Sequence, residues 1–504
     1  MQNPKIIGVD LGTTNTVLAY LDEVGDPQIV RTPEGDNLTP SAVYIDPETD
    51  QTSIGKEALR LSDQGFSIFR DYKRDIGSDT VYLEINSKKI TPETLSTLVL
   101  KKISTDFDPN ISQAVITVPA NFGVDRREAT LASGKLADLP VSQVINEPSA
   151  AAFYFAMKSN LKPGKYAVYD FGGGTWDISI VSVSGTEVEI LESEGISKLG
   201  GKDFDEKLQD LVEKKFQSET DSEINYSIQN FRASSLFEEL KKSLSINEER
   251  KVIIRREEGP PVTLTVTRSE FESSVSGLLA QSEMICSTLL KKHDDLLDIL
   301  LVGGSTRIPA VKESILKVFG KHPITVDNPD EVVALGAALY SGLKSDKTIL
   351  NSAQSELLER VNFKEVSNMY FGVIAVSFNE TTNQLDLMPT YIIDKGTPIP
   401  SEPITEQYTT IYENQTNSKI QVIQSSMPEK DVKWVDILWE DDFPLPPGLP
   451  QGEPIDFTFQ MLEDGTVDCH FLHKPSSSEQ SVNITPQYEV TKEKKLEIEE
   501  FFVE

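Results

Sequence analysis

Up to about Gly342, short apolar runs alternate with longer stretches whose apolar positions recur every three or four residues. Ile6-Ile7-Gly8-Val9, Val115-Ile116-Thr117-Val118, Ala167-Val168-Tyr169 and Asp298-Ile299-Leu300-Leu301-Val302 read as buried strands. Asn146-Glu147-Pro148-Ser149 reads as the start of an Ala-rich helix, with Asn146 as cap and Pro148 in the first turn. Strands alternating with amphipathic helices predict an α/β domain over residues 1–343. Residues 344–368 are polar with scattered Leu and Val, the pattern of a linker or a loosely packed helix. From 369 to 488 the text becomes all-β, with alternating runs such as Ser418 to Gln424 and a Pro- and Gly-rich break from Pro444 to Pro454. Residues 489–504 read as a charged tail.

Two of the strand-like runs end alike. Ile6 to Thr16 (IIGVDLGTTNT) is answered by Ala167 to Asp177 (AVYDFGGGTWD), each an apolar run, an Asp, one residue, then a Gly/Thr tip before a strand resumes. Such tips suit tight hairpin turns, and their bare N–H groups and small hydroxyls are what a phosphate needs. Gly12, Thr13, Thr14 and Asn15 would hold one phosphate edge, and Gly172, Gly173, Gly174 and Thr175 the other. Asp10 and Asp170 offer acceptors to a hydrated Mg²⁺, with Asp177 near enough in sequence to join them. A duplicated fold closing on a nucleotide polyphosphate is the expectation.

Charge and cysteine content narrow the picture. A formal net charge of −32 argues against nucleic acid and anionic membrane surfaces, so a phosphate must be held by local donors and a metal. Cys286 and Cys469 are too few for a disulfide framework, which points to a reducing compartment. No apolar run approaches the ~20 residues of a membrane-spanning helix, and Met1 to Lys5 shows no leader pattern. A cytoplasmic location is expected.

The motifs GVDLGTTNT, Lys73-Arg74 before Ile76-Gly77, ITVPANF, INEPSAAA, YDFGGGTWDIS, LGGKDFD, GGSTRIP and NPDEVVALGAA occur in that order. In them the chain resembles the heat-shock protein 70 (DnaK-type) chaperone family, within the actin/hexokinase-like ATPase superfamily. NQTNSKIQVIQ and FPLPPGLPQGEP followed by FTFQMLEDGTV resemble that family's peptide-binding β-sandwich. The resemblance implies ATP or ADP with Mg as ligands, and extended or unfolded polypeptides, a J-domain co-chaperone and a nucleotide-exchange factor as partners. It implies that Lys73 meets the γ-phosphate, that Glu147 helps place water or the metal shell, and that Thr175 contacts the γ-phosphate and relays protons. Alone, Lys73 would read as a solvated lysine in a charged helix.

At helical spacing Glu238, Lys241, Lys242 and Ser245 share a polar face, opposite Phe237, Leu240 and Leu244. That pattern by itself describes a solvated face. The resemblance assigns it to adenosine instead, together with Arg307 after Gly303-Gly304-Ser305, and with Gly200, Gly201 and Asp330.

The chain departs from the family in three ways. Fewer than twenty residues follow the last strand-like segment, where the family carries a helical lid. The connection from Thr348 to Val366 is longer and more charged than the family's Leu/Val linker, and Gln143 stands where an Arg joins linker and J-domain. Aligned on Asn414-Gln415, the peptide pocket's aliphatic residue falls at Ser418 and an arch residue at Ile411. A polar pocket forgoes apolar burial worth roughly 25 cal/mol per Å². The leading expectation is a lidless ATP-hydrolysing, peptide-binding chaperone. The alternative is a subunit of a chaperone complex that binds ATP with weak or no hydrolysis, serving as an interaction module. A sugar kinase on the same ATPase fold lacks any use for the appended β-rich half.

Overall fold

The computed structural model describes residues 5–85, 88–108, 110–159, 161–229, 233–326, 328–379 and 383–484, with Lys495, Leu496, Glu499 and Phe501 beyond them. The charged tail expected over 489–504 otherwise lies outside the described residues.

The first sheet carries β1 (Lys5–Leu11), β2 (Asn15–Leu21), β3 (Ile111–Val118) and β4 (Val141–Asn146) in the order β4-β3-β1-β2, extended by Pro27–Ile29. β1 runs antiparallel to β2 and parallel to β3. The second sheet carries β5 (Gly164–Phe171), β6 (Trp176–Ser184), β7 (Glu187–Ile196) and β8 (Leu296–Val302) in the order β8-β5-β6-β7. There β5 runs antiparallel to β6 and parallel to β8, the same relation of hairpin to parallel neighbour. Continuous apolar runs explain why β1, β2, β3, β5, β6 and β8 are buried along most of their length, whereas β7 alternates exposed and buried positions.

Between the sheets lie two helices, α1 (Glu147–Lys158) and α2 (Val332–Leu343). α1 follows the first sheet yet packs against β5 and β6, while α2 packs against β1 and β2. The small residues of SAAA and ALGAAL bring these helices close: a Cβ on Gly336 would lie 1.8 Å from the Ala150 carbonyl oxygen. This crossing joins the halves through one apolar cluster containing Ala150, Phe153, Val168, Leu300, Ala337 and Leu339.

From Tyr370 onward the strands are antiparallel. β9 (Tyr370–Asn379), β10 (Gln384–Ile393), β12 (Asn417–Ser425) and β13 (Asp436–Pro444) form one sheet, in the order β10-β9-β12-β13. β11 (Ile404–Thr409), β14 (Pro454–Met461), β15 (Val467–His473) and β16 (Ser478–Ile484) form the other. Strict alternation along β14 and β15 turns Phe457, Phe459 and Phe471 inward against Val373, Val422 and Phe443 of the facing sheet.

The stretch read as a linker holds ordered elements. Asn351 caps a short helix, Ser352–Leu358, by accepting from the Ala353 and Gln354 amides, and Gln354 Nε2 donates to the Asp22 carbonyl at 2.9 Å. Asn362–Val366 then pairs in parallel with β7, extending the second sheet. The polar residues that suggested a loose connector are spent on caps and on contacts to the first lobe. The β-rich part is tied to the rest by Gln424 Oε1, which accepts from the Val124 amide at 3.1 Å, and by Asn368 Nδ2, which donates to the Ala120 carbonyl at 2.8 Å.

Asn146 sits at the cap position of α1 without capping it. Its amide instead accepts from Arg127 and donates to Glu365 Oε1 at 3.0 Å, linking three segments. Cys469 and His473 lie on one face of β15 and are both buried, with His473 bonded to Ser476 and Glu453.

Candidate functional site

The two hairpins superimpose residue for residue in their pairing. Leu11 pairs with Thr16 around the tip Gly12–Asn15, and Phe171 pairs with Trp176 around the tip Gly172–Thr175. One step back, Asp10 faces Val17 and Asp170 faces Asp177. The tips meet across the cleft. A Cβ on Gly173 would lie 2.1 Å from Thr14 Oγ1, and one on Gly174 would lie 2.3 Å from Thr13 Oγ1, so the second tip must be glycine for the first to approach.

Each corner is braced from behind. Thr117 Oγ1 on β3 donates to Asp10 Oδ1 at 2.9 Å. Behind the second tip lies the start of α3 (Gly201–Thr220), whose Gly201 and Lys202 amides donate to the Gly172 and Gly173 carbonyls. Ser305 Oγ donates to the Gly172 carbonyl at 2.8 Å. The glycine carbonyls are therefore occupied on the far side, which fixes the tip's orientation toward the cleft.

Between the corners, an inner chamber of about 80 Å³ is lined by Asp10, Thr13, Lys73, Glu147, Asp170 and Thr175, among others. Lys73 is 3% exposed and lies on a one-turn 3₁₀ segment, Tyr72–Asp75, rather than on a solvated helix. Its Nζ contacts Glu147 Oε1 at 2.6 Å. Asp177 does not line the chamber; it stands one layer behind, its Oδ1 accepting from the Ala120 amide at 3.1 Å and its Oδ2 buried without a partner.

The carboxylates crowd one another. Burial, then the Glu147 charge, pushes the Asp10 carboxyl up to about 7 despite the pull of Lys73. Burial, then Glu147, lifts Asp177 to about 8, and Asp170 is raised by burial and by all three neighbouring carboxylates. A single lysine cannot offset the buried Glu147, Asp170 and Asp177 together with the half-buried Asp10, so the chamber favours an added cation. Among the described residues no three His, Cys, Asp or Glu side chains converge to hold a bare metal ion. The donor set suits a divalent ion that keeps its water shell, such as Mg²⁺.

The inner chamber opens, past Thr14, Asn15, Gly173, Gly304 and Asp330, into an outer cavity of about 730 Å³. Its wall is α4 (Ala233–Leu244) and the residue after it, with Phe237, Glu238, Lys241, Lys242 and Ser245 lining the cavity and Leu240 and Leu244 buried beneath. Lys241 Nζ donates to the Gly201 carbonyl at 2.7 Å and to Asp205 at 2.9 Å. Burial is what lifts Asp205 to about 6, partly offset by this lysine. Lys242 is tied back to Glu238 at 2.7 Å, and Ser245 Oγ donates to the Lys241 carbonyl. Opposite, Arg307 pairs with Asp330, which puts a planar guanidinium on the far wall. Gly201 lines the cavity, and Gly200 packs behind it with its amide donating to Asp203 Oδ2 at 2.7 Å.

Ion pairs that no motif announced tie the lobes across the cleft. Arg70 pairs with Glu238 at 3.1 Å, Lys202 with Asp71, and Arg74 with Asp203, while Arg74 Nη2 also donates to the Gly174 carbonyl at 2.9 Å. The run Arg70-Asp71-Tyr72-Lys73-Arg74 announced charges, but no local pattern names partners more than a hundred residues away. Asp203 and Asp205 lie within the LGGKDFD motif, the one signal that could have pointed to them.

No described helix is long and apolar enough to cross a membrane. A model of the protein family described as Hsp70 protein matches residues 6–502. That match takes in both hairpin corners, the α4 wall and the β-rich part, and it leaves out only a few terminal residues. The chain belongs to the Hsp70 family of ATP-binding chaperones.

Proposed function

We propose that this Hsp70-type chaperone binds Mg·ATP in the cleft, hydrolyses it, and couples lobe closure to the binding of extended polypeptide by the β-rich part. The observation that carries this reading is the pair of facing corners with a buried Lys73–Glu147 pair between them. On this reading residues 1–343 are a duplicated, actin-like ATPase domain, and 369–488 are a β-sandwich joined to it through 344–368.

The chain's own groups have separable tasks. Amides and hydroxyls of Gly12–Asn15 and Gly172–Thr175 bind the phosphates, and the α4 face with Arg307 orients the nucleoside. Lys73 holds positive charge where the terminal phosphate becomes more negative, the kind of preorganised stabilisation that dominates phosphoryl transfer. Glu147 orients Lys73 and accepts a hydrogen bond from water, and the Thr175 hydroxyl positions that water. Bound Mg²⁺ would neutralise phosphate charge, with Asp10 and Asp170 accepting from its waters. Asp177 holds the Pro119-Ala120 segment through the Ala120 amide.

A second reading is that nucleotide is held with little or no turnover and the chain serves as a fixed module of a chaperone assembly. The ordered connector favours it. Asn362–Val366 is built into the second sheet and the half-buried Glu365 accepts from Asn146, so the β-rich part is docked through structure that must be broken to move. Single-turnover ATP hydrolysis against a Lys73→Ala control separates the two. A wild-type rate above the control supports turnover; equal rates leave the module. Peptide affinity that is the same with and without ATP would remove coupling.

A further inference from the structure

Beyond the last strand, two described side chains return to the first lobe. Phe501 is 1% exposed and lies in the apolar cluster of Val43, Ile90, Leu98 and Tyr72. Lys88 Nζ sits 4.6 Å from the Phe501 ring centroid, and Lys495 pairs with Asp138. The two contacts are independent, one apolar and one ionic, and both anchor the same segment to the lobe.

The cluster that receives Phe501 also holds the turn that carries Lys73. Tyr72 precedes Lys73 directly, and the helix Pro92–Phe107 supplies Leu95 and Leu98 to the cluster. That helix's Glu93 accepts from the Gly77 amide at 2.8 Å, so it grips the far end of the turn. Phe501 thus shares an apolar cluster with Tyr72, while the next residue, Lys73, lines the inner chamber. Well-packed interiors transmit such displacements rather than absorbing them.

We propose that the segment bearing Lys495 and Phe501 is a strap that steadies the Lys73 turn, so that strap docking and nucleotide binding favour each other. The proposal rests on nucleotide binding at the corners as read above. Linkage requires the effect to run both ways: removing the strap weakens nucleotide retention, and bound nucleotide tightens the strap.

The test uses the full chain. In stopped-flow release of a fluorescent ATP analogue with Mg²⁺, Phe501→Ala is expected to speed release about fivefold, at the low end of measured couplings between sites. Lys495→Glu, which breaks the surface ion pair without touching the core, should move release the same way by less. In the wild type, hydrogen exchange at residues 495–501 should slow when Mg·ATP is added. Release rates equal to wild type in both variants, or exchange indifferent to nucleotide, would overturn the strap. A wild type that takes up no nucleotide would instead remove the reading on which it rests.

Discussion

The first and second corners share a backbone and differ in chemistry. Around Gly12–Asn15 the chain places two threonines and an asparagine; around Gly172–Thr175 it places three glycines. The difference follows from contact: Thr13 and Thr14 fill the space that a side chain on Gly174 or Gly173 would need. Opposite Asp10 stands the apolar Val17, whereas opposite Asp170 stands a second acid, Asp177. One corner brings two threonine hydroxyls and one carboxylate, the other bare glycine amides, the single Thr175 hydroxyl and a buried pair of acids. The two hairpins share a pairing pattern and are complementary in shape where they meet, as closing on a single polyphosphate would require.

The largest expected effect comes from spoiling that complementarity. Gly174→Val should lower Mg·ATP affinity about a hundredfold or more, because its Cβ would start 2.3 Å from Thr13 Oγ1 and force the corners apart. Adding Thr13→Ala to a Gly174→Ala variant should restore part of the loss, measurable by titration calorimetry. No rescue would break the argument that the threonine and the glycine are matched.

Lys73→Ala sharpens the comparison from the midpoint between corners. Its single-turnover rate should fall by roughly 10²–10³, while nucleotide affinity changes only a few-fold, since the charge acts mainly on the transition state. A loss of affinity as large as the loss of rate would assign Lys73 to ground-state binding.

The extra acid of the second corner predicts a pH signature. Asp177 is raised to about 8 when folded, from an ordinary 3.8, so its neutral form stabilises the fold. That contribution is complete below about pH 4 and is lost as pH rises through 8. The isosteric Asp177→Asn keeps the acceptor for the Ala120 amide and cannot ionise. Its stability relative to wild type, without nucleotide, should therefore climb from pH 5 to about 8 and then level off, by an amount on the order of 4 kcal/mol. Thermal melts across that range check it, and parallel curves would refute the buried-acid account.

The smallest effect is expected on the outer wall. Lys242 is mostly exposed and paired with Glu238, so Lys242→Ala should weaken ATP binding by less than about threefold. Lys241 is buried against Gly201 and Asp205, so its alanine variant should cost more. Reversal of that order would argue against the depth of burial as the deciding factor.

The corners were legible because their signals are local: an apolar run, an Asp and a Gly/Thr tip lie within eleven residues. The α4 face was legible from helical spacing, although its meaning as a wall rather than a solvated face came from the family motifs. What stayed hidden is long-range. Asn146 has the right type for a cap, yet Arg127 and Glu365 compete for its amide. The 344–368 stretch is polar because its side chains serve caps and sheet edges supplied by distant segments. The cross-cleft pairs of Arg70, Lys202 and Arg74 follow from the approach of the lobes, which periodicity does not encode. Of the residues expected at the peptide pocket, Ser418 on β12 pairs with Phe443 of β13, and Ile411 is half-exposed.

Titration of the folded, full-length chain with ATP in the presence of Mg²⁺, followed by calorimetry, tests the central claim most directly. One nucleotide bound per chain, with affinity lowered about a hundredfold or more by Gly174→Val, is the predicted result. Absence of any binding heat from folded wild-type protein would contradict it.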